Sequence, residues 1–352
     1  MAAGFRSTVV EMDYAKWEGK AQLTPVQGDD PTVDQLRHLD QATRAAARLL
    51  PASGYRLELV NCDLCGSNDW RLRYRLKGAR LPMEFSVVEC NHCRLNFINP
   101  RLTEECGASL YDEEYYDGAG FDPVFHGDTE AKRRDAELLL SSLRKLLGSQ
   151  ATRLLEVGGG SALLSELAPQ YGFQATMCDV SSAAVTRARA RGIDAHLGGP
   201  DSGFLAGAAG SFDAVVALEV IEHVYSPKAF LRRIYELLRP GGVYAYTTGN
   251  VEEARIYGAR WGYFEVPEGH IHFFSRATMS RYLRESGFSA LVDPYSIYFK
   301  RNVGVRVLEG LGIVDLKRSA VPDRSLERFC YRTLFGGLER VLGRARLPWA
   351  IK

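Results

Sequence analysis

The chain has 352 residues, 46% of them apolar and 25% charged. That is long enough for two or more domains and has the balance of an ordinary soluble enzyme. A net charge of +1 excludes global attraction to nucleic acid or anionic lipid, so such contacts would need a local patch.

Met1 to Lys20 carries Arg6, Glu11, Asp13 and Lys16 and no apolar run of signal-peptide type, and no stretch reaches membrane-spanning length. Both features predict a cytoplasmic protein. Residues 1 to 57 form a polar extension, in which Thr32 to Leu50 reads as an amphipathic helix with Leu36, Leu39, Ala46 and Leu50 on one face. Residues 58 to 102 hold two cysteine pairs between strand-like runs, Arg71 to Leu76 and Phe85 to Val88. Residues 103 to 150 are a tyrosine-rich link and a helix with Leu139, Leu143, Leu146 and Leu147 at helical spacing.

From residue 151 to about 300 strand and helix alternate, which implies an α/β domain with parallel strands and right-handed crossovers. Strand Arg153 to Val157 leads into helix Ala162 to Tyr171, closed by Gly172. Strand Ala175 to Cys178 leads into a helix capped by Ser181 or Ser182 and closed by Gly192, and a third short strand lies near Ala195. Strand Ala214 to Leu218 precedes a helix with Ser226 as N-cap and Pro227 in its first turn, closed by Pro240-Gly241-Gly242 ahead of strand Val243 to Thr247. Ser275 caps a helix to Gly287, and Ala290 to Phe299 supplies the last strands. Residues 301 to 352 form a helical tail in which basic residues outnumber acidic ones about two to one, the pattern of a solvated face.

Seven cysteines is an odd number, and four of them sit as Cys62-x-x-Cys65 and Cys90-x-x-Cys93. Two matched pairs point to a metal in a reducing compartment rather than to a disulfide framework. Four sulfurs at about 2.3 Å suit tetrahedral Zn2+ and leave no position open for water, so the zinc is expected to be structural.

The run Leu154-Leu155-Glu156-Val157-Gly158-Gly159-Gly160 ends an apolar strand in an acid-x-Gly-x-Gly turn. A dinucleotide fingerprint needs a third glycine where Leu163 stands, so a pyrophosphate ligand is a weak reading. Asp179 ends the next strand about twenty residues on, the distance at which a carboxylate takes ribose hydroxyls.

The glycine turn, Phe212 to Val224 (FDAVVALEVIEHV) and Leu238-Arg239-Pro240-Gly241-Gly242 together resemble the class I S-adenosylmethionine (SAM) methyltransferases. That resemblance implies a Rossmann-like seven-stranded domain. It places Glu156, Gly158 and Gly160 on the methionine moiety, Asp179 on the ribose, Asp201 near the adenine and Glu219 beside the cofactor. The ribbon's end, Cys93 to Arg101 followed by Tyr111, Tyr115 and Tyr116, is similar to the N-terminal zinc-ribbon module of methyltransferases that include nucleotide-sugar C-methyltransferases. In those relatives the module covers the substrate side, which offers Tyr115 and Tyr116 as pocket residues or as packing.

His223 beside Glu222 matches the Glu-His of the sugar enzymes, which implies a general base with Glu222 orienting the ring, against a purely structural role. His270 and His272 alternate on a strand-like segment and are expected to face one way, as substrate ligands, as a base, or as loop hydrogen-bonding groups. Tyr257, Trp261, Tyr263 and Phe264 lie where a lid would. The expectation is methylation of a small-molecule acceptor, a sugar or another biosynthetic intermediate, at C or O. The alternatives are a zinc-ribbon RNA methyltransferase, against which the near-neutral charge argues, and a non-catalytic SAM binder.

Overall fold

The structure of the protein is a computed structural model that describes residues 8–9, 55–81, 83–108, 130–291 and 349–351. The helix expected over 32–50, Tyr111, Tyr115, Tyr116 and the tail up to residue 348 lie outside the described residues.

Near the N-terminus, β1 (Thr8–Val9), β2 (Leu57–Leu59) and β6 (Arg101–Leu102) make a small antiparallel sheet. A hairpin of β3 (Trp70–Lys77) and β4 (Glu84–Cys90) continues into β5 (Asn96–Ile98). Both strand-like runs of the sequence lie inside β3 and β4. Phe85 and Val87 fall in one apolar cluster and Val88 and Cys90 in another, so β4 is covered on both faces. A short helix, α1 (Glu104–Ala108), follows.

Helix α2 (Glu130–Leu147) turns Ala136, Leu139, Leu140 and Leu143 inward, while Leu146 is 44% exposed. The apolar stripe is therefore Leu140-centred and does not run to Leu146. Next come β7 (Arg153–Val157), α3 (Leu163–Leu167), β8 (Gln174–Asp179), α4 (Ser182–Ala190), β9 (Asp194–Leu197), β10 (Phe212–Leu218), α5 (Pro227–Leu237) and β11 (Leu238–Thr247). The helix expected to reach Tyr171 becomes a 3-10 turn from Ala168, where Pro169 has no N–H for the helical ladder. Ser181 is the cap of α4, its side chain accepting from the Ala184 N–H, and Ser226 caps α5 in the same way through Ala229. Helix α5 ends at Leu237, before Pro240-Gly241-Gly242, because Leu238 already turns extended and pairs with Phe212.

The chain closes with α6 (Ala254–Tyr257), β12 (His272–Phe273), α7 (Arg276–Glu285), β13 (Ser289–Leu291) and β14 (Trp349–Ile351). A seven-stranded sheet runs β13-β14-β11-β10-β7-β8-β9, with β14 antiparallel to both neighbours. One of those strands comes from residues read in the sequence as helical tail.

Period-two alternation divides the core. Leu154, Ala214, Val216, Val243 and Ala245 face α2 and α3; Leu155, Val157, Val215 and Tyr244 face α5 and α7. The second cluster also contains Cys62, Leu64, Val88, Leu95 and Phe97 of the cysteine module. Each such side chain contributes about 1.5–3 kcal/mol by burial, so module and sheet are stabilised by one shared core. β12 pairs with β5 and completes the module's own sheet from the far end of the chain.

Candidate active site

Strand order reverses between β7, which continues to β8, and β10 on its other side. At such a switch point the loops leaving the carboxyl ends diverge and open a crevice. Gly158 sits there at φ +69, donating to the Cys178 carbonyl at 2.8 Å, and an added Cβ would strike Val220 Cγ2 at 2.5 Å. Gly160, at φ +49, would project its Cβ into open space. The first glycine thus admits a neighbouring side chain and the second borders open space.

Asp179 is buried and ties the crevice walls together. It accepts the Gly160 N–H at 2.9 Å through Oδ2 and the Ser181 N–H at 2.8 Å through Oδ1. Glu156 is also buried, and its Oε2 accepts both the N–H and the hydroxyl of Ser165. Burial pushes its pKa up to about 7, the Ser165 hydrogen bonds opposing. Beside Asp179, Val180 is 63% exposed and Leu197, its strand partner's residue, 56% exposed. Large apolar side chains left open at the end of a sheet make suitable walls for a flat heterocycle. Neither was singled out from the sequence, since exposure cannot be read from residue type.

Asp201 is exposed and lies 3.9 Å from Arg233, whose guanidinium also holds the Pro200 and Leu205 carbonyls and draws that loop onto α5.

On the other side of the switch point, Glu219 adopts φ 55, a conformation rare for a residue with a side chain. Its carboxylate accepts from the Tyr263 hydroxyl, and the Tyr263 ring lies against Gly249. Glu222 is 1% exposed; its Oε2 accepts from Thr248 Oγ1 at 3.0 Å. Burial first, and then the neighbouring Glu219, raise the Glu222 pKa well above the carboxylate range. An oxygen of Glu222 and a ring nitrogen of His223 lie within 4.8 Å of each other, and the Gly269 carbonyl accepts from His223 Nδ1 at 3.0 Å. The ring is not made more basic: burial pushes its pKa down to about 3, aided by His270.

His270 joins this group, its ring 4.6 Å from that of His223 and its Nδ1 donating to the Tyr263 carbonyl at 2.8 Å. His272 does not. It lies between Phe97 and Phe274, buried in β12 on the cysteine module. The two histidines part because His270 closes a turn on the Val266 carbonyl, so the extended register begins only after it. Of the four lid aromatics, Trp261 and Phe264 are core residues packed with Phe273, while Tyr263 reaches the site.

Residues 129–292 match the family described as "Methyltransferase domain". They form a class I SAM-dependent methyltransferase domain. The sheet just described is its Rossmann-like fold. The chain is 41% identical over 102 residues to the ubiquinone biosynthesis O-methyltransferase of Caulobacter vibrioides, covering 28% of this chain and 40% of that one. It is 33% identical over 147 residues to the protein of that name from Xanthomonas axonopodis pv. citri, covering 38% and 62%. Among solved structures, a SAM-dependent methyltransferase from Mesorhizobium loti aligns at 19% identity with a TM-score of 0.40, over 62% of this chain and 98% of that one. The chain thus spans 40% to 62% of the length of these two curated relatives.

The methyltransferase domain carries the cysteine module on its α5–α7 face. One ligand atom from each of Cys62, Cys65, Cys90 and Cys93 lies within 4.8 Å of the others. The two pairs sit in matching turns. Gly66 N–H bonds the Cys62 carbonyl and Arg94 N–H the Cys90 carbonyl, with φ of 77 and 67 at the turning residues. Cys62 N–H reaches Ser67 and Cys90 N–H reaches Leu95 in the same relation. Two such turns facing each other present four sulfurs to one point, the donor set tetrahedral zinc requires. Among the described residues no helix is long and apolar enough to cross a membrane.

Proposed function

We propose that the protein transfers a methyl group from SAM to an oxygen of a small-molecule acceptor, and that the four cysteines hold a structural zinc. The reading rests on one contact above all. Val220 packs on Gly158, so the segment carrying Glu222 and His223 is held against the glycine turn that cradles the methyl donor. Donor and acceptor sites are therefore adjacent by construction, as an in-line displacement requires.

Asp179, with Val180 and Leu197 exposed beside it, suits an adenosine; Glu156 suits an ammonium. Bound there, SAM supplies an electrophilic methyl carbon whose C–S bond breaks as the new bond forms. His223 and His270 are held neutral by burial, with Nδ1–H given to carbonyls. His270 accordingly offers an Nε2 lone pair to an acceptor hydroxyl and fixes its oxygen. Oxygen as the nucleophile is favoured by the names of the O-methyltransferase relatives. The four-cysteine turns support zinc by their donor set.

Calorimetric titration with SAM tests the reading. Wild type is expected to bind, and Asp179→Ala to bind about 10- to 100-fold more weakly, since about 1.5–3 kcal/mol accompanies each hydrogen bond to a charged group. Binding by Asp179→Ala as tight as wild type would refute the ribose role.

A further inference from the structure

The turn from β7 into α3 holds left-handed backbone at three positions, with φ of 69 at Gly158, 49 at Gly160 and 57 at Ala162. The glycines adopt it freely. Ala162 carries a methyl group into that region and, as the N-cap of α3, offers the helix no side-chain cap. A conformation of this kind persists only where its surroundings hold it.

Two of the holds come from the two ends of α4. Just before the helix, Asp179 accepts the Gly160 N–H at 2.9 Å. Just after it, the C-cap residue Arg191 reaches back, Nη2 donating to the Ser161 carbonyl and Nη1 pairing with Glu166 of α3 at 2.9 Å. The Arg191–Glu166 pair is about 40% exposed on each side and contributes little by itself. What Arg191 adds is the bond to the turn and a positive charge. That charge acts on Glu156, which also feels the like charge of Asp179 and two hydrogen bonds from Ser165, beside a Cys178 thiol that burial keeps protonated. Of these groups, Arg191 alone is a cation. Nothing in residue type separates it from Arg187 and Arg189 on the same helix; the fold alone brings its side chain to the turn.

We propose that Arg191 is a positioning residue for SAM, its guanidinium holding the glycine turn in the shape that receives the methionine moiety and setting a positive charge within range of Glu156. The part played by the charge rests on Glu156 as partner of the ammonium group; the hold on the turn does not.

Calorimetric titration of the full-length protein with SAM between about pH 5.5 and 7.5 tests this on wild type, Arg191→Lys and Arg191→Met. The side chain is 39% exposed, so its replacement leaves no buried cavity, and unchanged circular dichroism marks each variant as folded. Arg191→Met is expected to bind about 3- to 10-fold more weakly at the upper pH, through the lost carbonyl bond. Its deficit is expected to widen as pH falls, because Glu156 without the cation protonates sooner. Arg191→Lys keeps the charge but not the fork that serves Ser161 and Glu166 together, so its deficit is expected to be the same at every pH. An arginine that merely stiffened the fold would give both variants a deficit independent of pH. Wild-type affinity in Arg191→Met, or a deficit there that does not change with pH, overturns the proposal. Wild type that binds no SAM removes the methyl-donor reading instead.

Discussion

Glu156 is a carboxylate placed where water cannot solvate its charge, and its behaviour with pH follows from that. Burial raises its pKa to about 7 against 4.5 for an ordinary glutamate, even with Ser165 donating twice. An acid with a raised folded pKa binds more protons in the native than in the unfolded chain between those values. Its contribution to stability therefore declines as pH climbs from about 4.5 to 7 and is level above, at up to about 1.4 kcal/mol per unit. An ammonium ligand reverses the preference, because it needs the ionised form. SAM affinity is expected to rise by up to about tenfold per pH unit below 7 and to flatten above it, with proton release that disappears in Glu156→Gln. Calorimetry in buffers of different ionisation enthalpy measures this; affinity constant from pH 5.5 to 7.5 would contradict it. The placement of Glu156, Asp179 and the glycines was legible in the sequence because each stands at a strand end, and strand ends follow from apolar runs. The environment of His223 was not. Adjacency suggested Glu222 as its partner, yet a carbonyl 46 residues away takes the ring Nδ1.

Elements carry the link between the cysteine module and the reacting groups. Asp63, inside the first cysteine turn, accepts from Ser226 Oγ at 2.8 Å, Lys228 N–H at 3.0 Å and Tyr282 hydroxyl at 3.0 Å. It thereby fastens the start of α5, three residues beyond His223. A second tie is a ladder of backbone bonds, Ile98 N–H to the Ile271 carbonyl and Ile271 N–H to the Glu222 carbonyl, each 2.9 Å. Glu268 adds a third, its carboxylate accepting the N–H groups of Ala79, Arg80 and Leu81. Asp63→Ala leaves three donors without their acceptor and is expected to cost about 2–4 kcal/mol in urea unfolding. Because α5 loses its anchor, turnover is expected to fall with SAM affinity within about twofold; unchanged stability and turnover would show that the module merely rests on the domain. Long, regular elements such as β7, α4 and α5 were visible in the sequence through apolar period and caps. β12 was visible only as a strand-like segment with wrong bounds, and β14 was not, since three residues carry no period and become a strand only when a partner edge is presented.

At the scale of the molecule, sequence reading divides the chain into successive modules, whereas packing joins them. Cys62, Leu64, Val88, Cys90, Leu95 and Phe97 share one apolar cluster with Val157, Val215, Leu231 and Tyr244 of the methyltransferase domain. A binary pattern of apolar residues says that a face is covered but not by which neighbour, so this fusion could not be read from the chain. It has a thermodynamic consequence. Structural zinc is worth on the order of 10 kcal/mol in small isolated modules, where it decides folding by itself. Here the ion would hold two turns whose side chains line the core of the whole sheet, so its loss is felt by the sheet as well. Stripping the metal with a strong chelator is accordingly expected to lower a single cooperative melting transition by about 10 °C or more, with helical circular dichroism and tryptophan fluorescence falling together. Were the helical signal to melt at its original temperature after zinc was shown by elemental analysis to be gone, the module would be an appended unit, and the shared core would not couple it to the catalytic domain.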